Sequence, residues 1–118
     1  MGGRRRRRDV AAKQPVATTD YVDADGNVIT VRDELSPGTL HELERLRSAP
    51  AASQEDRWQR RGELLFERLV TRWEIAGLPL EGQKALLARY RMAGGETRRW
   101  LRETLEQHLE HRAGERSP

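Results

Sequence analysis

The sequence predicts a mainly α fold: a small bundle of about four helices preceded by a short β-hairpin and a disordered basic N-terminal arm. Three observations predict it. Apolar residues recur at three- and four-residue steps through most of the chain after Ser36, β-forming residues flank an Asp25-Gly26 turn, and the first 19 residues show no periodicity. With 36% apolar residues, 118 residues can build one modest core, and 35% charged residues with 5% aromatics fit helices whose outer faces are solvated. The expected organisation is an Arg-rich arm over residues 1–19, a single helical domain with its hairpin over 20–112, and a disordered tail over 113–118.

The arm, "MGGRRRRRDVAAKQPVATT", is small and charged in composition. Within it, Val10 and Val16 are alternative start positions if a valine codon initiates. "YVDADGNVITV" then predicts a hairpin over Tyr21 to Val31, with Asp25-Gly26 supplying the positive φ angles of the turn. Two short strands are marginal alone, so Val22, Val28 and either Ile29 or Val31 are expected to lean on the helices.

The first helix is announced by "SPGTLHELERLRS", with Ser36 or Thr39 as N-cap, a capping-box spacing from Thr39 to Glu42, and Leu40, Leu43 and Leu46 as its apolar stripe. Pro50 separates it from a second helix capped by Ser53, predicted to run from about Gln54 to Ala76 with Trp58, Leu65, Phe66, Leu69 and Trp73 on one face. Gly77 and Pro79 end that helix. "EGQKALLARYRM" starts a third, with Leu86, Leu87 and Tyr90 inward, and after "AGG" a fourth, about Glu96 to Arg112, buries Trp100, Leu101, Leu105 and Leu109. The three tryptophans are expected as the largest pieces of the core, with Trp73 the exception if it joins Ile75, Leu78 and Leu80 in an apolar corner.

The net charge of +3 resides in the arm, since without Arg4 to Arg8 the chain has 17 basic residues against 19 acidic. Attraction to phosphate therefore falls to Arg4, Arg5, Arg6, Arg7 and Arg8, candidate contacts for nucleic acid or another anion with no aromatic interleaved to stack bases. The absence of cysteine excludes disulfides, thiolate metal sites and a cysteine nucleophile. No apolar run approaches the roughly 18 to 20 residues that cross a bilayer, and no secretory signal is apparent, so a cytoplasmic protein without membrane partners is expected.

Several stretches imitate chemistry. Asp23, Asp25, Asn27 and Glu34 fall on ligand positions 1, 3, 5 and 12 of an EF-hand loop, but Val28 stands where that loop needs glycine and no helix precedes it, so an acidic hairpin turn is favoured. His108 and His111 lie one helical turn apart without a third ligand, which favours a surface reading. The four serines sit at caps, turns or tails, and the carboxylates alternate with arginines, as in Asp56/Arg60 and Arg102/Glu106, so no tuned acid/base pair or activated nucleophile is expected. A non-enzyme with no metal or cofactor follows.

"WEIAGLPL" gathers apolar residues in an otherwise polar chain. It reads as a packed corner between the second and third helices and, alternatively, as a docking elbow made by Trp73, Ile75, Leu78, Pro79 and Leu80. The extended stretch from Asp25 to Val31, the leucine helix and "LVTRWEIAGLPLEGQKALLARY" together resemble phage tail assembly chaperones over about residues 24–110, with Trp73, Leu78, Pro79 and Leu80 as the matching positions. The sequence lacks the longer polar link that the family carries after the tryptophan and adds the Arg run. The resemblance implies a small helical viral or prophage protein that keeps a long tape-measure protein soluble in the host cytoplasm while tail-tube subunits assemble. The residues themselves leave two alternatives: a nucleic-acid-associated accessory protein using Arg4 to Arg8, or a homo-oligomeric structural adaptor.

Overall fold

The computed structural model describes residues 17–50 and 53–116. The chain runs β1 (Thr18–Val22), β2 (Val28–Arg32), α1 (Pro37–Ser48), α2 (Gln54–Leu69), β3 (Val70–Ile75), β4 (Leu78–Glu81), α3 (Gln83–Met92) and α4 (Gly95–Arg116). The strands form one antiparallel sheet in the order β1-β2-β3-β4. The expected helical bundle with an appended hairpin is therefore incorrect: this is a mixed α and β fold in which helices cover one face of a four-stranded sheet. The Arg4 to Arg8 run and both alternative start positions lie outside the described residues.

The correction originates at Leu69. Helix α2 begins where expected, with Ser53 Oγ accepting from the Asp56 N–H, but stops at Leu69 rather than Ala76 and passes into β3 without a loop. The segment "VTRWEI" has the β-branched and aromatic residues that favour a pleated surface. Its burial pattern mimics a helix because of a bulge: Thr30 pairs with Arg72 but Val31 pairs with Val70, leaving Thr71 as the extra residue. The bulge lets Val70 and Trp73, three positions apart, both face the core, where strict alternation would put them on opposite faces.

The buried sheet face carries Ile29 and Val31 from β2 and Val70 and Trp73 from β3, all under 7% exposed. Against it pack Leu65, Phe66 and Leu69 of α2, Leu86 and Tyr90 of α3, and Leu101 and Leu105 of α4. Phe66 is the hub, stacked on Tyr90 at 4.6 Å and edge-on to Trp73 at 5.7 Å between ring centroids. Both Ile29 and Val31, of which one is expected, hold the first hairpin to this core, whereas Val22, 62% exposed, and its cross-strand partner Val28, both also expected there, lie on the opposite face.

That opposite face is polar. Asp20, Thr30, Arg72 and Glu81 lie in register across the four strands. Thr30 Oγ1 donates to Asp20, and Arg72 pairs with both Glu74 and Glu81, so the row satisfies itself in water.

The remaining helices follow the sequence closely. Ser36 caps α1, accepting from the Thr39 N–H, while Glu42 pairs with Arg68 instead of closing a capping box. Leu43 is the buried member of the α1 stripe and Leu40 is 46% exposed. Trp100 is only half-buried, and Trp58 is 52% exposed, so of the three tryptophans expected in the core only Trp73 lies fully within it.

Candidate functional site

"WEIAGLPL" forms a β-hairpin, not a helix corner. Ile75 pairs with Leu78, Trp73 with Leu80, Glu74 with Pro79 and Arg72 with Glu81, and the two-residue turn between them is Ala76-Gly77. Both turn residues have positive φ, 53° and 79°, the arrangement of a type I′ hairpin, whose twist matches that of the strands. Pro79 is tolerated on this edge strand because it lies beyond the hydrogen-bonded closing pair, where its nitrogen faces away from β3.

The five residues expected to form an elbow separate by depth. Trp73 is core, 3% exposed, with the Arg89 guanidinium 5.4 Å from its ring centre. Ile75 and Leu80 are half-buried at the core margin. Leu78 is 73% exposed on the same side of the hairpin, beyond the cover of the helices, and Pro79 is exposed on the other side. The structure thus brings Ile75, Leu78 and Leu80 together and withdraws Trp73 from a partner's reach.

The two hairpin turns are joined. Asn27 Oδ1 accepts from the Ala76 N–H at 3.0 Å, fixing the β1–β2 turn beside the β3–β4 turn at one end of the sheet. The acidic turn is organised by its own Asp23, whose Oδ1 accepts from the N–H groups of Asp25 and Asn27. Its carboxylate is engaged as an Asx turn, in keeping with the acidic-turn reading.

A second cluster escaped the sequence reading. His108, expected at the surface, is 2% exposed. Its Nε2 lies 2.8 Å from the Arg32 carbonyl oxygen, which can only accept, so Nε2 carries hydrogen. Its Nδ1 lies 2.6 Å from Tyr21 Oη, an arrangement in which the hydroxyl donates to the ring. Asp33, which accepts from Thr19 Oγ1, stands 3.8 Å from Nε2. The spacing from Leu101 and Leu105 to His108 continues the buried stripe of α4 and was the available signal. His111 is exposed, so the two imidazoles do not share a site. Among the described residues, no group of three or more His, Asp or Glu is placed to hold a metal ion.

Between α2 and α4 runs an open groove of about 370 Å³, with Trp58 beside Arg61, Arg99, Arg102 and Glu103. Gly62 is its close-approach point: a Cβ there would meet Arg102 Cδ at 2.5 Å and Tyr90 Oη at 3.1 Å. Burial raises the Tyr90 hydroxyl above the usual phenol range, partly offset by the Arg102 and Arg98 charges. The hydrogen bond from Arg61 to Glu106 holds the guanidinium still more firmly protonated, against the desolvation of its partly buried site.

Comparison with protein-family models, with curated proteins and with solved structures found no match. Among the described residues, no helix is long and apolar enough to cross a membrane.

Proposed function

We propose that this chain is a non-enzymatic assembly or interaction protein that holds a protein client against the turn end of the β3–β4 hairpin. The observation that carries the reading is Leu78, 73% exposed on the side of the hairpin where Trp73 and Leu80 face the core. An apolar side chain at a short, hydrogen-bonded turn offers a client a fixed contact, and Ile75 and Leu80 extend it inward. The resemblance of this region to phage tail assembly chaperones supports one kind of client, a long helical tape-measure protein or the tail-tube subunits assembling around it. Such a client would lay one apolar helix face on the hairpin end.

A photo-crosslinking residue at position 78, used in the producing cells with nuclease treatment and mass spectrometry, tests this. The expected adduct is a long helical protein or a tube subunit, absent when the probe stands at Arg72 on the polar sheet face. A folded protein that yields no adduct at position 78 overturns the reading. The Arg4 to Arg8 run favours a second reading as a nucleic-acid-associated protein. It predicts nucleic-acid binding that falls steeply with salt and disappears when those five residues are deleted.

A further inference from the structure

Trp58 is the largest apolar side chain left half-exposed on a helix whose neighbouring positions are charged, and it borders the groove between α2 and α4. Acidic Glu55 lies three positions before it along α2 and basic Arg61 three positions after it, each one turn away on the same face of the helix. Helix α4 carries the reverse order alongside: Arg99 and Arg102, then Glu103 and Glu106. The two sequences are level, because Glu55 and Arg99 share one end of the groove while Arg61 binds Glu106 at the other.

We propose that the α2–α4 face is a self-association surface that receives a second copy of this chain, with Trp58 on the two-fold axis. An axis lying in the interface and perpendicular to both helices reverses each helix against its own copy. Glu55 then meets Arg61 of the second copy. On α4, Arg99 meets Glu106 and Arg102 meets Glu103. Each of these acids opposes a base, and the internal pair Arg61–Glu106 stays in place while gaining a second opposite charge. The two Trp58 rings meet at the centre, where remaining apolar exposure is removed from water and where a tryptophan contributes most to an isologous contact.

The same pattern selects against other occupants. A nucleic acid would bring phosphates onto Glu55, Glu103 and Glu106, and a uniformly acidic or basic peptide would meet like charge at about half of the positions. The surface is separate from the β3–β4 hairpin, so Leu78→Asp leaves it intact and the two readings fail independently.

Sedimentation equilibrium of the full chain at low salt tests the proposal. The expected result is a reversible monomer–dimer equilibrium that Trp58→Ala weakens about tenfold or more. Glu55→Arg, which sets arginine against arginine, should weaken it by a similar factor of about ten. Mixing Glu55→Arg with Arg61→Glu should restore association, since each altered position then faces its opposite charge. A chain that stays monomeric at all concentrations, or a dimer indifferent to Trp58→Ala and Glu55→Arg, overturns it; the exposure of Trp58 and Glu55 keeps those variants folded, which circular dichroism verifies.

Discussion

Tyr21 Oη lies 2.6 Å from His108 Nδ1, although the two residues are 87 positions apart. With the Nε2 bond to the Arg32 carbonyl oxygen, this contact fastens both strands of the first hairpin to α4. Tyr21→Phe keeps the ring and removes the donor to a buried nitrogen, which should cost about 1–3 kcal/mol in urea denaturation. Combining it with His108→Ala should cost less than the sum of the two single changes, since both break one network.

Trp73 and Leu78 occupy opposite ends of one hairpin side and should respond in opposite ways. Trp73→Ala removes the ring against Phe66 and should cost about 3–5 kcal/mol, enough to unfold much of a marginal domain. Leu78→Asp, at an exposed position, should stay within about 0.5 kcal/mol of the parent while abolishing co-purification of the client. Thermal unfolding followed by circular dichroism separates the two.

At Gly62, any side chain competes with the Arg102 stem and the Tyr90 hydroxyl. Gly62→Leu should therefore destabilise by about 1–3 kcal/mol despite leucine's better helix propensity. Arg102→Ala in the same chain should recover part of that loss, because the nearest clash is with the arginine's methylenes. Chemical denaturation of the single and double variants shows whether the recovery occurs.

Ala76 adopts φ 53°, a left-handed conformation that a Cβ disfavours. Asparagine is preferred before glycine in a type I′ turn, so Ala76→Asn should stabilise by about 0.5–1 kcal/mol and raise the melting temperature. The backbone N–H donated to Asn27 is retained in this variant.

Glu63 is hydrogen-bonded to Arg91, and that bond holds its carboxyl below the usual glutamate range against a smaller opposing effect of burial. A depressed folded-state pKa means that the pair stabilises the protein above the unfolded glutamate value and ceases to do so as pH falls through the folded one. Stability of the parent relative to Glu63→Gln should therefore be greatest near neutrality and shrink on acidification below about pH 4. Equal pH dependence of the two proteins in denaturant titrations would remove the pair from the account.

Local chemistry was readable where it acts over a few residues. Ser36 and Ser53 cap their helices, Asp25-Gly26 marks the first turn, and Leu65, Phe66, Leu86, Leu101 and Leu105 face the core as their spacing demands. The segment after Leu69 reads as helix because the Thr71 bulge turns Val70 and Trp73, three positions apart, to the same face of a strand, so that their spacing continues the helical pattern of α2. Of the candidate docking residues, Ile75, Leu78 and Leu80 could be grouped from sequence, since they are apolar and adjacent. Nothing local distinguished the buried Trp73 from the exposed Leu78.

The sequence by itself determined the helix starts, the first hairpin and the apolar character of "WEIAGLPL", because caps, turns and periodicity depend on neighbours within a turn or two. Only the tertiary structure decided that β3 joins β2 to complete a sheet, that Trp73 goes inward while Trp58 stays out, and that His108 is buried. These outcomes depend on partners brought from distant positions, Ile29 for Trp73 and Tyr21 for His108, whose packing and hydrogen bonds outweigh the local preference for helix or for solvent.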